Sequence, residues 1–497
     1  MVQSSFVVQP YRRKYLKAYC DRMSKDNLGV LYDDNVASVL KEQGFSIVES
    51  PRSVYKVEKL YQALGKYEPN LCPHCNIRDV DVIAGINLAR VCFSRPKDYP
   101  VFDLRPLTPS LVMDITSNHK GSAGLTAWGQ TKAESYLRAY ERAKQQIMGE
   151  KRPEPCVAFK RTQFNDKTRL VWGYPYAMTV EEGFFARPII EKFKSGVTPM
   201  AFGMPTGLLG TKLRASSYHK VYAYSTDVSS FDSSISPELI RVAFDILSSW
   251  FDLNQVERTT GVKYRKIWNQ VVNYFIHTPI FMPDGNVYKG KKHGVPSGSY
   301  FTSLIDSVVN VIMCGAISHH FNLFVDKRDI FVLGDDILFW SNREIKLEHI
   351  ARYATKTFGA TFNASKSAQF RWNETIHYLG RDWKDGVPSI SVNEIISRMV
   401  FPESYRKYSK DPGERDRQVR MLLLSYAAVY REAYPIYLEA MDIRRRFSHT
   451  NYSIENYVYG NSDEEIDPDF LSGLQRYQRK YLNHHGGRVP LALQYWK

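Results

Sequence analysis

Two short apolar segments of this chain end in carboxylates, and nothing else in the sequence is as suggestive of chemistry. Ile330-Phe331-Val332-Leu333 leads into Gly334-Asp335-Asp336 and leaves as Ile337-Leu338-Phe339-Trp340. β-Branched and aromatic residues on both sides of a Gly-Asp pair predict a β-hairpin with its acidic turn exposed at one end of a sheet. Adjacent carboxylates repel, so two apolar strands gain nothing from presenting them unless a cation sits there. Mg2+ prefers hard carboxylate oxygens and usually shares its shell with substrate phosphates. Upstream, Val221-Tyr222-Ala223-Tyr224-Ser225-Thr226 reads as a second strand ending at Asp227, with Asp232 one loop later. Asp227 and Asp335 at neighbouring tips would hold two Mg2+ ions about 3.5–4 Å apart, the arrangement for in-line phosphoryl transfer. A single Asp is usually a turn residue or helix cap. Three carboxylates at two apolar strand ends fit that bland reading poorly.

Between the two acidic strands lies Gly294-Val295-Pro296-Ser297-Gly298-Ser299-Tyr300-Phe301-Thr302. A Gly/Ser loop opening a helix presents free N–H groups and hydroxyls to phosphate or sugar. Such loops are common, and the placement between the acidic strands is what singles this one out.

The elements that must position these groups can be read coarsely. Ala133 to Met148 is expected as a basic helix. Residues 151–214 read as loop and strand, rich in Pro and Gly. A helix should start near Pro237, where Pro suits the first turn. Residues 250–293 look mainly helical and close in a hairpin around Pro283-Asp284-Gly285-Asn286. A long apolar helix follows the Gly/Ser loop. Another helix spans 345–358, short strands run to 392, and the remainder is helix-rich and basic.

Length and charge bound the class. A chain of 497 residues needs several subdomains, and 43% hydrophobic residues can build them. A net charge of +15 favours an anionic partner, nucleic acid before membrane surface. Tyr and Arg interleave at Tyr11-Arg12-Arg13-Lys14-Tyr15 and Tyr405-Arg406-Lys407-Tyr408, a pattern that can stack bases and neutralise phosphates but also occurs on ordinary surfaces. Six scattered cysteines make no disulfide framework, and a reducing compartment is expected. Cys72-Pro73-His74-Cys75 lacks the second ligand pair a zinc knuckle needs. No signal h-region is visible, and no apolar run approaches the roughly 20 residues that span a bilayer.

Asp227-x4-Asp232, then Ser297-Gly298-x3-Thr302 with Asn310 beyond, then Gly334-Asp335-Asp336, resemble in order and spacing motifs A, B and C of viral RNA-directed RNA polymerases. The wording from Gly294 to Asn310 most resembles partitivirus and picobirnavirus enzymes, from small segmented double-stranded RNA viruses. The motifs cover residues 115–385. The resemblance implies an α+β right hand of fingers, palm and thumb, with an antiparallel palm sheet backed by helices and closed by N-terminal fingertips. It places fingertips and fingers at 1–150, fingers with a basic nucleotide-entrance strand at 151–214, palm at 215–249, fingers at 250–293, palm at 294–390, and thumb with C-terminal tail at 391–497.

The resemblance implies roles as well. Lys160, Arg161, Lys167 and Arg169 resemble motif F, which compensates the charge of an incoming triphosphate. Gly359 to Lys366 resembles motif D, making Lys366 the general acid that protonates pyrophosphate. Tyr378-Leu379-Gly380-Arg381 resembles motif E, so Arg381 would meet RNA. Ser117 to Leu125 is a candidate motif G at the template entrance. Asp232, Ser297, Gly298, Thr302, Asp306 and Asn310 would surround the nucleotide and its ribose. Asp306 departs from the Asn that picornavirus-like enzymes carry nine residues after the motif B Ser, which leaves its role open. Two Mg2+ or Mn2+ ions on Asp227, Asp335 and Asp336 are implied. So are template and product RNA, NTPs, primer-independent initiation, a capsid protein partner, and a place inside the virion in the host cytoplasm. Two rivals remain. A reverse transcriptase usually carries Tyr-x-Asp-Asp where this chain has Leu333-Gly334 before the pair. An RNA-packaging protein derived from a dead polymerase would not need Asp227, Asp335, Asp336 and Lys366 intact. Tyr495-Trp496 could stack as an initiation platform, or simply pack against the thumb.

Overall fold

The computed structural model describes residues 5–48, 52–163 and 168–427, with 429, 430, 432, 433 and 436 beyond. The described strands are β1 (Val7–Pro10), β2 (Cys156–Thr162), β3 (Thr168–Gly173), β4 (Tyr222–Ser225), β5 (Ile280–Phe281), β6 (Asn286–Lys289), β7 (Ile330–Leu333), β8 (Asp336–Ser341), β9 (Ala368–Arg371), β10 (Ile376–Tyr378), β11 (Arg381–Lys384) and β12 (Val387–Ser389). They form three sheets. The one that matters most has the order β7-β8-β4-β9, antiparallel throughout. A five-stranded sheet has the order β1-β6-β5-β2-β3, and a meander has β10-β11-β12.

The central sheet forms around the β7–β8 hairpin, whose side chains are apolar on both faces. Every residue of β8 after Asp336 is buried, and Tyr224 of β4 stacks on Phe339 with centroids 5.3 Å apart. One face packs on the helix Thr302–Phe321, whose residues from Leu304 to Ser318 are all buried. That helix packs in turn against the helix Val80–Phe93. Two glycines permit their close approach: a Cβ on Gly85 would stand 2.1 Å from the Ile312 carbonyl oxygen, and one on Gly315 2.7 Å from Gly85 Cα. Thr302–Phe321 is long and apolar enough to cross a membrane by length and composition, but 83% of its apolar window is buried within the protein.

The acidic hairpin, the helix Pro237–Ser248 and the hairpin β5–β6 lie where the sequence places them. Ser236 caps Pro237–Ser248 by accepting from the Leu239 amide. Residues 151–214 differ: besides β2 and β3 they hold the helices Tyr176–Phe193 and Thr206–Ser217. Tyr176–Phe193 is buried nearly all round and carries Pro188 inside it, so neither an amphipathic stripe nor an uninterrupted run announced it.

A second apolar core ties the two ends of the described chain together. The helix Asp34–Glu42 contributes Val36, Ala37 and Leu40, packed with Ile395, Met399, Val400 and Leu423. Asp33 caps that helix through the Val36 amide. Its buried carboxylate also accepts from Arg406 at 2.8 Å and from the Tyr408 hydroxyl at 2.6 Å. The N-terminal region is therefore divided, with β1 in the five-stranded sheet and Asp34–Glu42 against the C-terminal helices.

Candidate functional site

β7 and β8 are joined by two residues, with Leu333 paired to Asp336. Gly334 occupies the first loop position at φ +65, the left-handed conformation that a tight hairpin demands there. Asp335 and Asp336 are exposed at the tip. β4 lies beside β8 in the register Ser225↔Leu338, which carries Asp227 alongside Asp336 just past the strand end. The 359–367 loop braces Asp227 from the other side. The Asp227 amide donates to Ser367 Oγ at 3.0 Å, and the Asn363 amide donates to the Asp227 carbonyl at 2.9 Å. Lys366 is exposed on that bracing loop. Asp232 sits in the turn Phe231–Ser234, and its backbone carbonyl accepts from the Val295 amide at 2.6 Å, linking the first acidic strand to the Gly/Ser loop.

The carboxylates are mutually uncomfortable. Burial and the charge of Asp335 push Asp232 up from 3.8 to about 6. Asp336 keeps part of its surface in water, yet the protein crowded round its carboxyl, with the charges of Asp335 and Asp227, pushes it up to about 6. Asp306 is fully inside the protein and is raised well above the usual carboxylate range by burial, Asp232 and Asp335. One of its oxygens has no hydrogen-bond partner. Arg169 is the cation that opposes all three shifts. Among the described residues, no three His, Cys, Asp or Glu side chains stand close enough to hold an ion as they are placed. The donor chemistry fits a hard divalent cation: oxygen ligands, exposed at Asp335 and Asp336, with charge the protein leaves largely uncompensated.

The Gly/Ser loop is packed rather than open. Ser297 Oγ accepts from the Trp172 amide at 3.2 Å and reaches the Leu170 carbonyl at 3.5 Å. Gly298 lies so close to β3 that a Cβ would stand 1.8 Å from the Trp172 oxygen. Thr302 turns its hydroxyl into the loop, donating to the Pro296 carbonyl at 2.8 Å. Asn310 Nδ2 donates to the carbonyls of Gly334 at 3.1 Å and Asp335 at 2.9 Å. Ser307 Oγ accepts from the Gly334 amide at 2.9 Å. Thr302 and Asn310 thus hold the loop and the acidic turn. Asp306, one helical turn from both, is the member of the group that faces Asp232.

The basic residues also divide. Arg169 is exposed and acts on the carboxylates. Lys160 instead donates to Asn27 Oδ1 at 3.1 Å, with its ammonium 3.6 Å from the Tyr55 ring centroid. Arg161 makes two hydrogen bonds to the Glu403 carboxylate, at 2.9 and 3.0 Å. Arg381 places its guanidinium over the Tyr430 ring at 5.1 Å. Lys167 and Tyr495-Trp496 lie outside the described residues. Cys72 and Cys75 are free thiols, Cys75 buried.

Sequence reasoning missed Ser307, Ser367, Asn363 and Glu182, described below. A signal existed for the first: Ser303, Asp306, Ser307 and Asn310 make a polar stripe at helical spacing on an otherwise apolar helix.

Comparison with known proteins places this arrangement. The pattern of the viral RNA-dependent RNA polymerases matches residues 161–435. The RNA-directed RNA polymerase of Cryptosporidium parvum virus 1 (strain KSU-1) is 34% identical over 170 residues, 32% of this chain and 30% of that protein. The potential RNA-dependent RNA polymerase of a human picobirnavirus is 26% identical over 329 residues, 61% of this chain and 57% of that protein. Both matches span less than two thirds of the relative's length. The crystal structure of an insertion-loop deletion mutant of a human picobirnavirus RNA-dependent RNA polymerase has a TM-score of 0.67 at 15% identity, covering 98% of this chain and 97% of that one. That likeness is one of fold, the right hand of fingers, palm and thumb.

Proposed function

The chain belongs to the viral RNA-dependent RNA polymerase family, and from that premise we propose that it copies RNA templates into RNA from nucleoside triphosphates. The observation that carries the proposal is the convergence of Asp227, Asp335 and Asp336 at adjacent strand ends, with Arg169 as the opposing cation. Asp227, Asp335 and Asp336 would hold two Mg2+ or Mn2+ ions, whose charge would acidify the 3′-hydroxyl of the RNA and offset that of the leaving pyrophosphate. The protein's own groups do the rest. Arg169 compensates the triphosphate charge that the carboxylates would repel. Lys366, exposed on the loop that braces Asp227, is the proton donor to pyrophosphate. Asp232 and Asp306 read the ribose from beside Arg169. Ser307 and Asn310 keep the acidic turn in place. The +15 charge gives sequence-independent backbone affinity that falls steeply with salt.

The genome so copied is double-stranded RNA, initiation needs no primer, and the enzyme works beside a capsid protein inside the virion in the host cytoplasm. The relatives support the first of these.

The test is NTP incorporation on single-stranded RNA without primer, in Mg2+ or Mn2+, for wild type and Asp335→Ala. Template-length product from wild type alone is expected. RNA binding with no product on primed or unprimed template, with either metal, would overturn the catalytic reading. Preference for dNTPs would turn it towards a reverse transcriptase.

A further inference from the structure

Two adjacent acids, Glu181 and Glu182, lie in the Tyr176–Phe193 helix with 0% of their surface exposed. Burying a carboxyl is costly unless its oxygens are bonded. Glu181 Oε2 accepts from Gln270 at 2.8 Å. Glu182 spends both oxygens on a different part of the protein: Oε1 accepts from Ser299 Oγ at 2.6 Å and Oε2 from the Tyr300 amide at 2.8 Å. Ser299 Oγ in turn accepts from the Phe301 amide at 3.0 Å. Lys132, Tyr174, Tyr274 and Cys156 surround the same carboxyl. Burial pushes it up to about 8, against the bonds from Ser299 and Tyr300 and the charge of Lys132, which lower it.

The Tyr300 side chain extends the connection. Its hydroxyl donates to the Ile115 carbonyl at 3.0 Å and accepts from the Ser117 amide at 3.1 Å. Ser297 and Gly298 are seated against β3 at the other end of the loop. The Pro296–Thr302 segment is therefore gripped from two sides, and at its centre the grip is a single buried carboxyl.

We propose that Glu182 is a positioning residue that fixes the Pro296–Thr302 loop, and through it the groups that face the incoming nucleotide. The second half rests on the polymerase reading above; the first does not. Gln is the informative replacement. It has nearly the same volume, but a carboxamide accepts at one of its two ends only, so it cannot take both the Ser299 hydroxyl and the Tyr300 amide.

The experiment compares wild type, Glu182→Gln, Ser299→Ala and the double variant by amide hydrogen exchange and by NTP incorporation. Glu182→Gln should speed exchange in 296–302 on the order of 10-fold, the expected weight of one lost hydrogen bond, with protection elsewhere unchanged. It should raise KM for NTP and relax NTP over dNTP discrimination more than it lowers kcat. Combining it with Ser299→Ala should add little, because both cut the same bond. Unchanged exchange in 296–302, or loss of protection spread over the whole protein, would overturn the positioning role. Wild type that makes no product would overturn the polymerase reading, while the exchange result still decides the grip on the loop.

Discussion

The Asn310 carboxamide nitrogen stands 2.9 Å from the backbone carbonyl of Asp335, so a buried helix residue holds the carboxylate-bearing turn by its main chain. With Ser307 on the Gly334 amide, both edges of the turn are fixed by one polar stripe. Asn310→Ala would strip donors from two carbonyls. It should cost about 1–3 kcal/mol of stability and slow incorporation roughly 100-fold, as a displaced reacting group does. Thermal unfolding and single-nucleotide kinetics check this. A destabilised protein with the wild-type rate would show that the amide serves stability alone.

Asp232 and Asp336 bind their protons more tightly when folded, at about 6 against an ordinary 3.8. Their contribution to stability is full below the ordinary value and is lost as pH rises through about 6. In EDTA, Tm should therefore carry a falling component across that window. Asp335→Asn should make it shallower without abolishing it, since burial, the larger cause, remains. Mg2+ added at pH 7 should raise Tm of wild type more than of Asp335→Asn by mass action. Equal Mg2+ shifts would argue that Asp335 is not a ligand.

Arg169 and Arg161 are register partners on β3 and β2, yet their surroundings differ. Arg169 faces the carboxylates, whereas Arg161 is engaged by Glu403. Arg169→Ala should raise KM for NTP by about 10-fold or more, the loss of a charge-assisted contact. Arg161→Ala and Glu403→Gln should behave alike, each costing about 1 kcal/mol or less as a half-exposed ion pair. A larger KM effect at Arg161 than at Arg169 would reverse this assignment.

Gly298→Ala places a methyl 1.8 Å from the Trp172 oxygen, against backbone that cannot yield as a side chain would. Loss of about 1–3 kcal/mol from overpacking is expected, with displacement of the loop from β3. Solubility and a melting curve measure it. A variant as stable as wild type would mean that the loop does not need its seat on β3.

The order of acidic, Gly/Ser and acidic segments, the hairpin and the strand nature of both acidic segments were legible because each signal is local. An apolar run, a Gly at a left-handed position and a Pro in a first helical turn act over a few residues. The Tyr176–Phe193 helix was not legible, because a helix buried all round has no polar face to mark its period. Long-range partners were not legible either. Arg169 meets the carboxylates, while Lys160 sits on Tyr55 and Thr302 closes its own loop.

Sequence alone determined which charges exist, how they are ordered, and that the carboxylates would stand at strand ends. The tertiary structure decided which partner each polar side chain takes. Arg161 and Glu403 are 242 residues apart, and Glu182 and Ser299 are 117 apart. A side chain bonds the nearest complementary group once packing has removed water, and no local signal in the chain encodes who that neighbour will be.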